Sequence, residues 1–498
     1  MSPNHVIPLD SGALSPIAES VMRCESLTYD VGCESIVIAV RSDLIVNSEA
    51  LAGSAKLREA LEQIAEFRGS LADVYGSGRE ASSRSQSEAA REPGAGKEPD
   101  PDYEPPAGGP LTKVELWRLE PTRDAIDESR RLRRIAGDDG ERPGERDELR
   151  LPAVSPNHVA ILSPHASGCP ATPPQPAPAP TGAFVEPPAS GPVAKVTILD
   201  SGYIEVPAPN THHNLDARVV SVPGQALDTS SNPPTWLNDK PDGTYTDPAG
   251  RLDGISGHGT FIAGLIAHIA PQTRIEVVGL RNQEVEIGAL DPAAQLGLFE
   301  TEAAIAHAML RRSDTDVIQC GFSFPTLDDY PSLPFAAVMA ELRQPTAPRG
   351  GHVAVVAPAG NEQARQRYWP SALPDVIGVA STNRRGNARA WFSNWGDWCD
   401  CCARGEHVYS TFVDWDGPVE GEPLSDIEHF RGWARWNGTS FAAPKVAARI
   451  AALVAADPGL PPTAAWELLV SGADVEAVTD YTLSPHHGVA LPRIPDLP

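Results

Sequence analysis

From residue 194 onward, short unbroken apolar runs recur along the chain. They are "AKVTILD" from 194, "TRIEVVGLR" (273–281), "DVIQCGFSF" (316–324), "HVAVVAPAGNE" (352–362) and "DVIGVAST" (375–382). Runs of this length, rich in β-branched residues, predict strands buried on both faces. Between them lie "HGTFIAGLIAHI" (258–269), "ETEAAIAHAMLRRS" (300–313) and "PFAAVMAELRQ" (334–344), which read as helices. Strands alternating with helices predict a mostly parallel sheet flanked by helices, an α/β domain over residues 193–480. Such sheets hold ligands at the carboxyl ends of their strands, where Asp200 and the Ala359-Gly360-Asn361 turn fall.

The first half is patterned differently. "SIVIAVRSDLIV" (35–46), "TKVELWRL" (112–119) and "NHVAILSP" (157–164) predict strands. Residues 50–75, with Leu57, Leu61, Ile64 and Leu71 near helical spacing, predict a helix. "TRDAIDESRRLRRIAG" (122–137) predicts a second, capped by Thr122 and closed by Gly137. A small α+β domain is therefore expected over 15–165, with a polar, Gly/Pro/Ser-rich insert at 76–110 that reads as disordered. A Pro-rich, extended linker is expected over 166–192, and residues 481–498 read as a C-terminal tail. The pentapeptide "SPNHV" occurs at 2–6 and again at 155–159, too few copies for a repeat architecture.

Composition narrows the partners. The 50 prolines among 498 residues are about twice the usual share and cluster in the linkers. A formal net charge of -26 argues against nucleic-acid or anionic-membrane binding. No run of 18 apolar residues predicts a membrane span. The opening residues show no basic stretch followed by an apolar run, so a cytoplasmic protein is expected. Seven scattered cysteines do not read as a disulfide framework.

Candidate chemistry starts at "RWNGTSFAAPKVAARIAALVAA" (435–456), a polar turn running into an Ala-rich helix. Pro444 fits only the first turn of that helix, so Ser440 sits at its N-terminus. Alone, such a serine is a helix cap or a presented nucleophile. A nucleophile needs a base, and the base an orienting acid. "SGHGTFIAG" supplies His258 and "VTILDSG" supplies Asp200. With "VAPAGNE", "YWPSALPDVIGVAS" and "FSNWGDW" following in order, residues 194–475 resemble the subtilisin-like serine proteases, the subtilases.

The resemblance implies a serine endopeptidase with a peptide or protein substrate and an acyl-enzyme intermediate. Ser440 would be the nucleophile, His258 the general base, and Asp200 the group orienting the imidazole. Asn361 would donate to the oxyanion beside the Ser440 N–H. An extended substrate would pair near Gly321, Phe322 and Ser323, with Ala357, Pro358, Ala359 and Gly360 walling a pocket. "CGFSF" stands where the family usually has Ser-Leu-Gly. The family's calcium loop after the His helix is expected to be missing, and no cofactor or metal is expected. Residues 15–165 would be a propeptide-like intramolecular inhibitor, cut free within 165–192, or else a recognition domain. The alternatives in function are a peptide-maturation acyl transferase or cyclase on the same fold, and a non-catalytic peptide-binding module.

Two clusters compete for attention. Cys399, Cys401, Cys402 and His407 in "WCDCCARGEH" match no zinc spacing, and buried small hydrophobes are expected there. The polar stretch between Asp200 and His258 is expected to be a solvated loop, with a cation site on Asp239, Asp242 and Asp247 as the alternative. His212, His213, His486 and His487 are expected to be exposed.

Overall fold

Two sheets organise the chain. The computed structural model describes residues 27–31, 36–77, 108–138, 149–161, 171–179, 193–206, 212–238, 246, 250–280, 298–419, 423–472, 476–479 and 490–493. Nearly all of the 76–110 insert, the first "SPNHV", Asp239, Asp242, Asp247, His486, His487 and much of the linker lie outside them.

The first sheet contains β1 (Leu27–Val31), β2 (Ile36–Asn47), β3 (Ala65–Ser70), β4 (Val114–Leu119) and β5 (Val154–Ile161). It is antiparallel, in the order β5-β2-β4-β3, with β1 on β2. Helices α1 (Ser48–Gly53), α2 (Ala55–Glu62), α3 (Leu71–Ser77) and α4 (Ala125–Ala136) complete an α+β domain. Leu57, Leu61 and Leu132 pack there on Leu44 and Val46.

The structure corrects two local expectations. Residues 50–75 are three short helices interrupted by β3, because pairing with the open edge of β4 overrides helical spacing. The cap of α4 is Asp124, whose carboxylate accepts from the N–H groups of Ile126 and Asp127, not Thr122; Gly137 closes the helix at φ 75°.

Strand β6 (Gln175–Pro176) lies in the linker. Beyond it come β7 (Ala194–Asp200), β8 (Val219–Pro223), the hairpin β9 (Gln225–Asp228) and β10 (Thr235–Asn238), α5 (His258–Ile269), β11 (Thr273–Gly279), β12 (Leu298–Thr301) and α6 (Glu302–Leu310). Next are β13 (Val317–Cys320), α7 (Leu333–Leu342), β14 (Ala354–Pro358), β15 (Ile377–Thr382), β16 (Cys401–Arg404), β17 (Val408–Gly417), β18 (Glu428–Trp436), α8 (Ala443–Ala456) and α9 (Pro462–Val470). Last are β19 (Glu476–Thr479) and β20 (Ala490–Arg493).

Seven of these strands form a parallel sheet in the order β16-β15-β14-β13-β7-β11-β8. β20 extends it beside β16, so residues 490–493, assigned to the tail by sequence, join the main sheet. Helices cover both faces. Phe335 and Met309 lie in the core on one side; Phe261, Val446 and Ile450 lie in the core on the other. α8 packs against β7, β13 and β14, under the middle of the sheet. β12 pairs antiparallel with β5, so a strand from the second half completes the first sheet.

Candidate active site

β7 delivers Asp200 to the carboxyl end of the sheet's centre, between β13 and β11. Its Oδ1 accepts the Ser201 N–H at 2.7 Å. His258 opens α5, and its Nδ1 lies 2.9 Å from both carboxylate oxygens of Asp200. A carboxylate can only accept, so Nδ1 carries the proton and Nε2 is the basic nitrogen. Nε2 is buried and has no hydrogen-bond partner among the described residues.

This closeness depends on missing side chains. A Cβ on Gly259 would sit 2.1 Å from the Gly202 carbonyl oxygen, so the first turn of α5 could not close on the end of β7. A Cβ on Gly321 would sit 1.6 Å from Asp200 Oδ2. Gly321 therefore acts first as room for the carboxylate.

Thr439–Phe441 form a single 3₁₀ turn leading into α8, with Pro444 in that helix's first turn, where its missing N–H leaves nothing unpaired. The Phe441 ring lies 5.2 Å from the imidazole of His258, and Trp436 meets the imidazole edge-on at 5.6 Å. The Ser440 turn is thus held against His258. Asp200, His258 and Ser440 are all fully buried.

Asn361 follows β14. Its Oδ1 accepts from the Thr439 N–H at 2.8 Å and from Thr439 Oγ1 at 3.0 Å. Oγ1 in turn accepts the Gly360 N–H at 3.1 Å. Because the Thr439 N–H can only donate, Oδ1 faces it and Nδ2 points the other way. Nδ2 is buried without a partner among the described residues. Sequence reasoning passed over Thr439 as a positioning residue. Its signal was present beside the serine in "NGTS".

Residues 191–488 match the subtilase family. The chain belongs to the subtilase family. Over 102 residues it is 38% identical to an extracellular basic protease of Dichelobacter nodosus; that stretch is 20% of this chain and 15% of the relative. A cold adapted subtilisin-like serine proteinase is 20% identical at a TM-score of 0.39, the match covering 61% of this chain and 89% of that one. Fervidolysin from Fervidobacterium pennivorans, a keratinolytic enzyme related to subtilisin, is 16% identical at a TM-score of 0.47, with 89% and 58% covered.

In this subtilase a second carboxyl group adjoins Asn361. Glu362 Oε2 accepts the Asn361 N–H at 2.8 Å and an Nδ2 hydrogen of Asn394 at 3.1 Å, while Oε1 is buried without a partner among the described residues. Burial pushes the Glu362 carboxyl up to about 7, against the lowering effect of those hydrogen bonds. A raised acid in the fold contributes stability below its ordinary value of 4.5 and loses it as pH rises through about 7. Urea midpoints at pH 5 and pH 8 should therefore differ more for the native protein than for Glu362→Gln. Equal differences in the two proteins would refute the assignment.

The remaining predicted site residues lie at the ends of the neighbouring strands β13 and β14. Phe322 and Ala359 are fully buried and belong to the hydrophobic core. Ser323 is buried, and its Oγ has no partner among the described residues. The Ala359 N–H donates to the Val379 carbonyl, and the Gly360 N–H is committed to Thr439. Cys399, Cys401 and Cys402 are buried and form no disulfide among the described residues, and burial pushes the Cys402 thiol up to about 12. His212 departs from expectation. It is 5% exposed, stacks edge-on with Trp433 and bonds the Gly432 carbonyl at 2.7 Å through Nε2, because this part of the stretch folds under β18. The side chain of His213 lies outside the described residues.

Proposed function

We propose that this subtilase is a serine endopeptidase working through Asp200, His258 and Ser440. Ser440 Oγ attacks the scissile carbonyl carbon while His258 Nε2 takes its proton. Asp200 holds the imidazole through Nδ1–H and stabilises its positive charge. The C–N bond then breaks, Nε2 hands the proton to the leaving amine, and an acyl-enzyme remains. Water repeats the sequence and releases the acid. Asn361 Nδ2 and the Ser440 N–H donate to the oxyanion in both halves. The observation that carries this reading is the His258 pair, with Nδ1 2.9 Å from Asp200 and Nε2 buried without a partner among the described residues.

The N-terminal domain would restrain this chemistry, with self-cleavage within 165–192. Two observations support it. Ser440 and His258 are closed to solvent. Linker residues also run antiparallel along β18: Gln175 and Pro176 pair with Arg435 and Ala434, and the Ala171 N–H donates to the Asn437 carbonyl at 3.0 Å, three residues before Ser440. This pairing brings the linker close to the Ser440 turn.

A fluorophosphonate followed by peptide mapping tests the reading. The expected result is one adduct, on Ser440; an adduct elsewhere, or none after the linker is cut, would overturn it. Products from a defined peptide should gain the mass of water. Ligated or cyclic products would move the assignment to acyl transfer. Asn361→Leu should lower kcat roughly 10²–10³-fold with KM little changed, the scale known for subtilisin, a member of this same family. A KM effect alone would remove Asn361 from the oxyanion site.

A further inference from the structure

Thr439 holds the side-chain oxygen of Asn361, but that contact does not fix the backbone that carries the side chain. The backbone there is a strained turn. Gly360 sits at φ 96°, and Gln363, which has a side chain, at φ 58°. Such residues keep their conformation only where the surroundings impose it. The N–H groups of Asn361, Glu362 and Ala364 all end on side chains. Asn361 donates to Glu362 Oε2 at 2.8 Å, and the other two donate to a single atom, Asn394 Oδ1, each at 2.9 Å.

Asn394 is wholly buried. Its amide can accept two hydrogen bonds and donate two, and all four go to this turn. Beside the two that it accepts, Nδ2 donates to the Ala359 carbonyl at 3.0 Å and to Glu362 Oε2 at 3.1 Å. The Asn394 N–H adds a fifth bond, to the Gly360 carbonyl at 2.9 Å. The turn packs directly on the amide, since a Cβ on Gly360 would sit 2.4 Å from Asn394 Nδ2. Asn394 is fixed to the sheet in its turn. The Ala390 N–H donates to the Ser381 carbonyl of β15 at 2.8 Å, and the Ser381 N–H donates to Ser393 Oγ at 2.8 Å. One side chain thus ties residues 359–364 to the end of the neighbouring strand. A buried amide is costly unless every polar group is paired, and this one is paired with the Asn361 turn alone.

We propose that Asn394 is a positioning residue for peptide hydrolysis: closed to solvent, it meets no substrate and acts by fixing the Gly360-Asn361-Glu362 turn, so that Asn361 Nδ2 is in place before charge develops on the scissile carbonyl oxygen. The inference rests on the proposed oxyanion role of Asn361. A donor fixed in advance stabilises the transition state without reorganisation, and displacing such a group by about 1 Å costs on the order of 10² in rate.

Steady-state kinetics of four full-length proteins test it: the native chain, Asn394→Ala, Asn361→Leu and the double variant. Each carries an inserted recognition sequence for an unrelated site-specific protease within residues 181–190, so that opening the linker does not depend on its own activity. Asn394→Ala alone should lower kcat roughly 10²-fold with KM little changed. In the Asn361→Leu background the same change should cost less than about threefold, because the group it positions is gone. Equal losses in the two backgrounds, or an Asn394→Ala protein as fast as the native one, would overturn the proposal and leave the oxyanion reading of Asn361 standing. An Asn361→Leu protein as fast as the native one would overturn both. If Asn394→Ala shows no cooperative melt by circular dichroism, Asn394→Asp takes its place in the cycle. That variant keeps the shape and the two accepted bonds but turns both side-chain donations into repulsions. Its kcat should fall about tenfold or more, and this loss should again disappear in the Asn361→Leu background; a loss that persists there would overturn the proposal.

Discussion

Ser440→Ala is expected to lower kcat for peptide hydrolysis roughly a millionfold, on the scale known for subtilisin in this same family. The magnitude follows from how the groups depend on one another. His258 is useful only while it has a hydroxyl proton to take, and Asp200 only while His258 becomes charged. Removing the nucleophile therefore silences all three. Residual turnover would come from the oxyanion donors and substrate positioning alone, on the order of 10³ over water. The fold should survive, because the turn is held by Thr439 and Asn361 and by the burial of Phe441 rather than by the Ser440 side chain alone. Steady-state kinetics with a circular dichroism melt would measure both. Retained hydrolysis with an unchanged melt would end the Ser440 assignment.

Gly321→Ala should be nearly as damaging, although Gly321 carries no chemistry. The added methyl would lie 1.6 Å from Asp200 Oδ2. Either β13 or the carboxylate must shift. The strand is fixed on both sides by β7 and β14, so Asp200 is the group that moves. Rotating it breaks the bond that sets the His258 tautomer, and loss of that orientation costs about 10⁴ in kcat in enzymes of this design. KM should change little. The low-field Nδ1–H proton resonance of His258 should vanish in the variant. Activity within tenfold of the native protein, with that resonance intact, would show that the sheet can yield.

What the sequence revealed and what it concealed separate along one line. Asp200, His258, Asn361 and Ser440 each sit in a contiguous motif whose turn residues and apolar strand announce a strand end or a helix start. Local constraints write such features into neighbouring positions. The parallel sheet was legible for the same reason, since strands buried on both faces leave unbroken apolar runs. The contact of Gly321 with Asp200 left no local mark, because it depends on the spacing of two strands far apart in the chain. β3 was hidden because an edge strand needs few apolar residues: Phe67 is 47% exposed. The hairpin was hidden because its stretch is polar, and Trp236 finds its partners in Val74 and His307 rather than nearby. His212 misled for the same reason, its burial being supplied by β18.

The position of α8 has a consequence for the order of events during synthesis. This helix lies under β7, β13 and β14, yet it is made after all three. A chain emerging from the ribosome has Asp200, His258 and the hairpin in hand long before residue 440 appears, and its N-terminal sheet can fold first. On the proposed mechanism, no peptide bond could be attacked until the sheet receives its central helix. When Ser440 arrives, the linker residues that will lie along β18 have already been made. On that mechanism, the first polypeptide Ser440 would meet is its own.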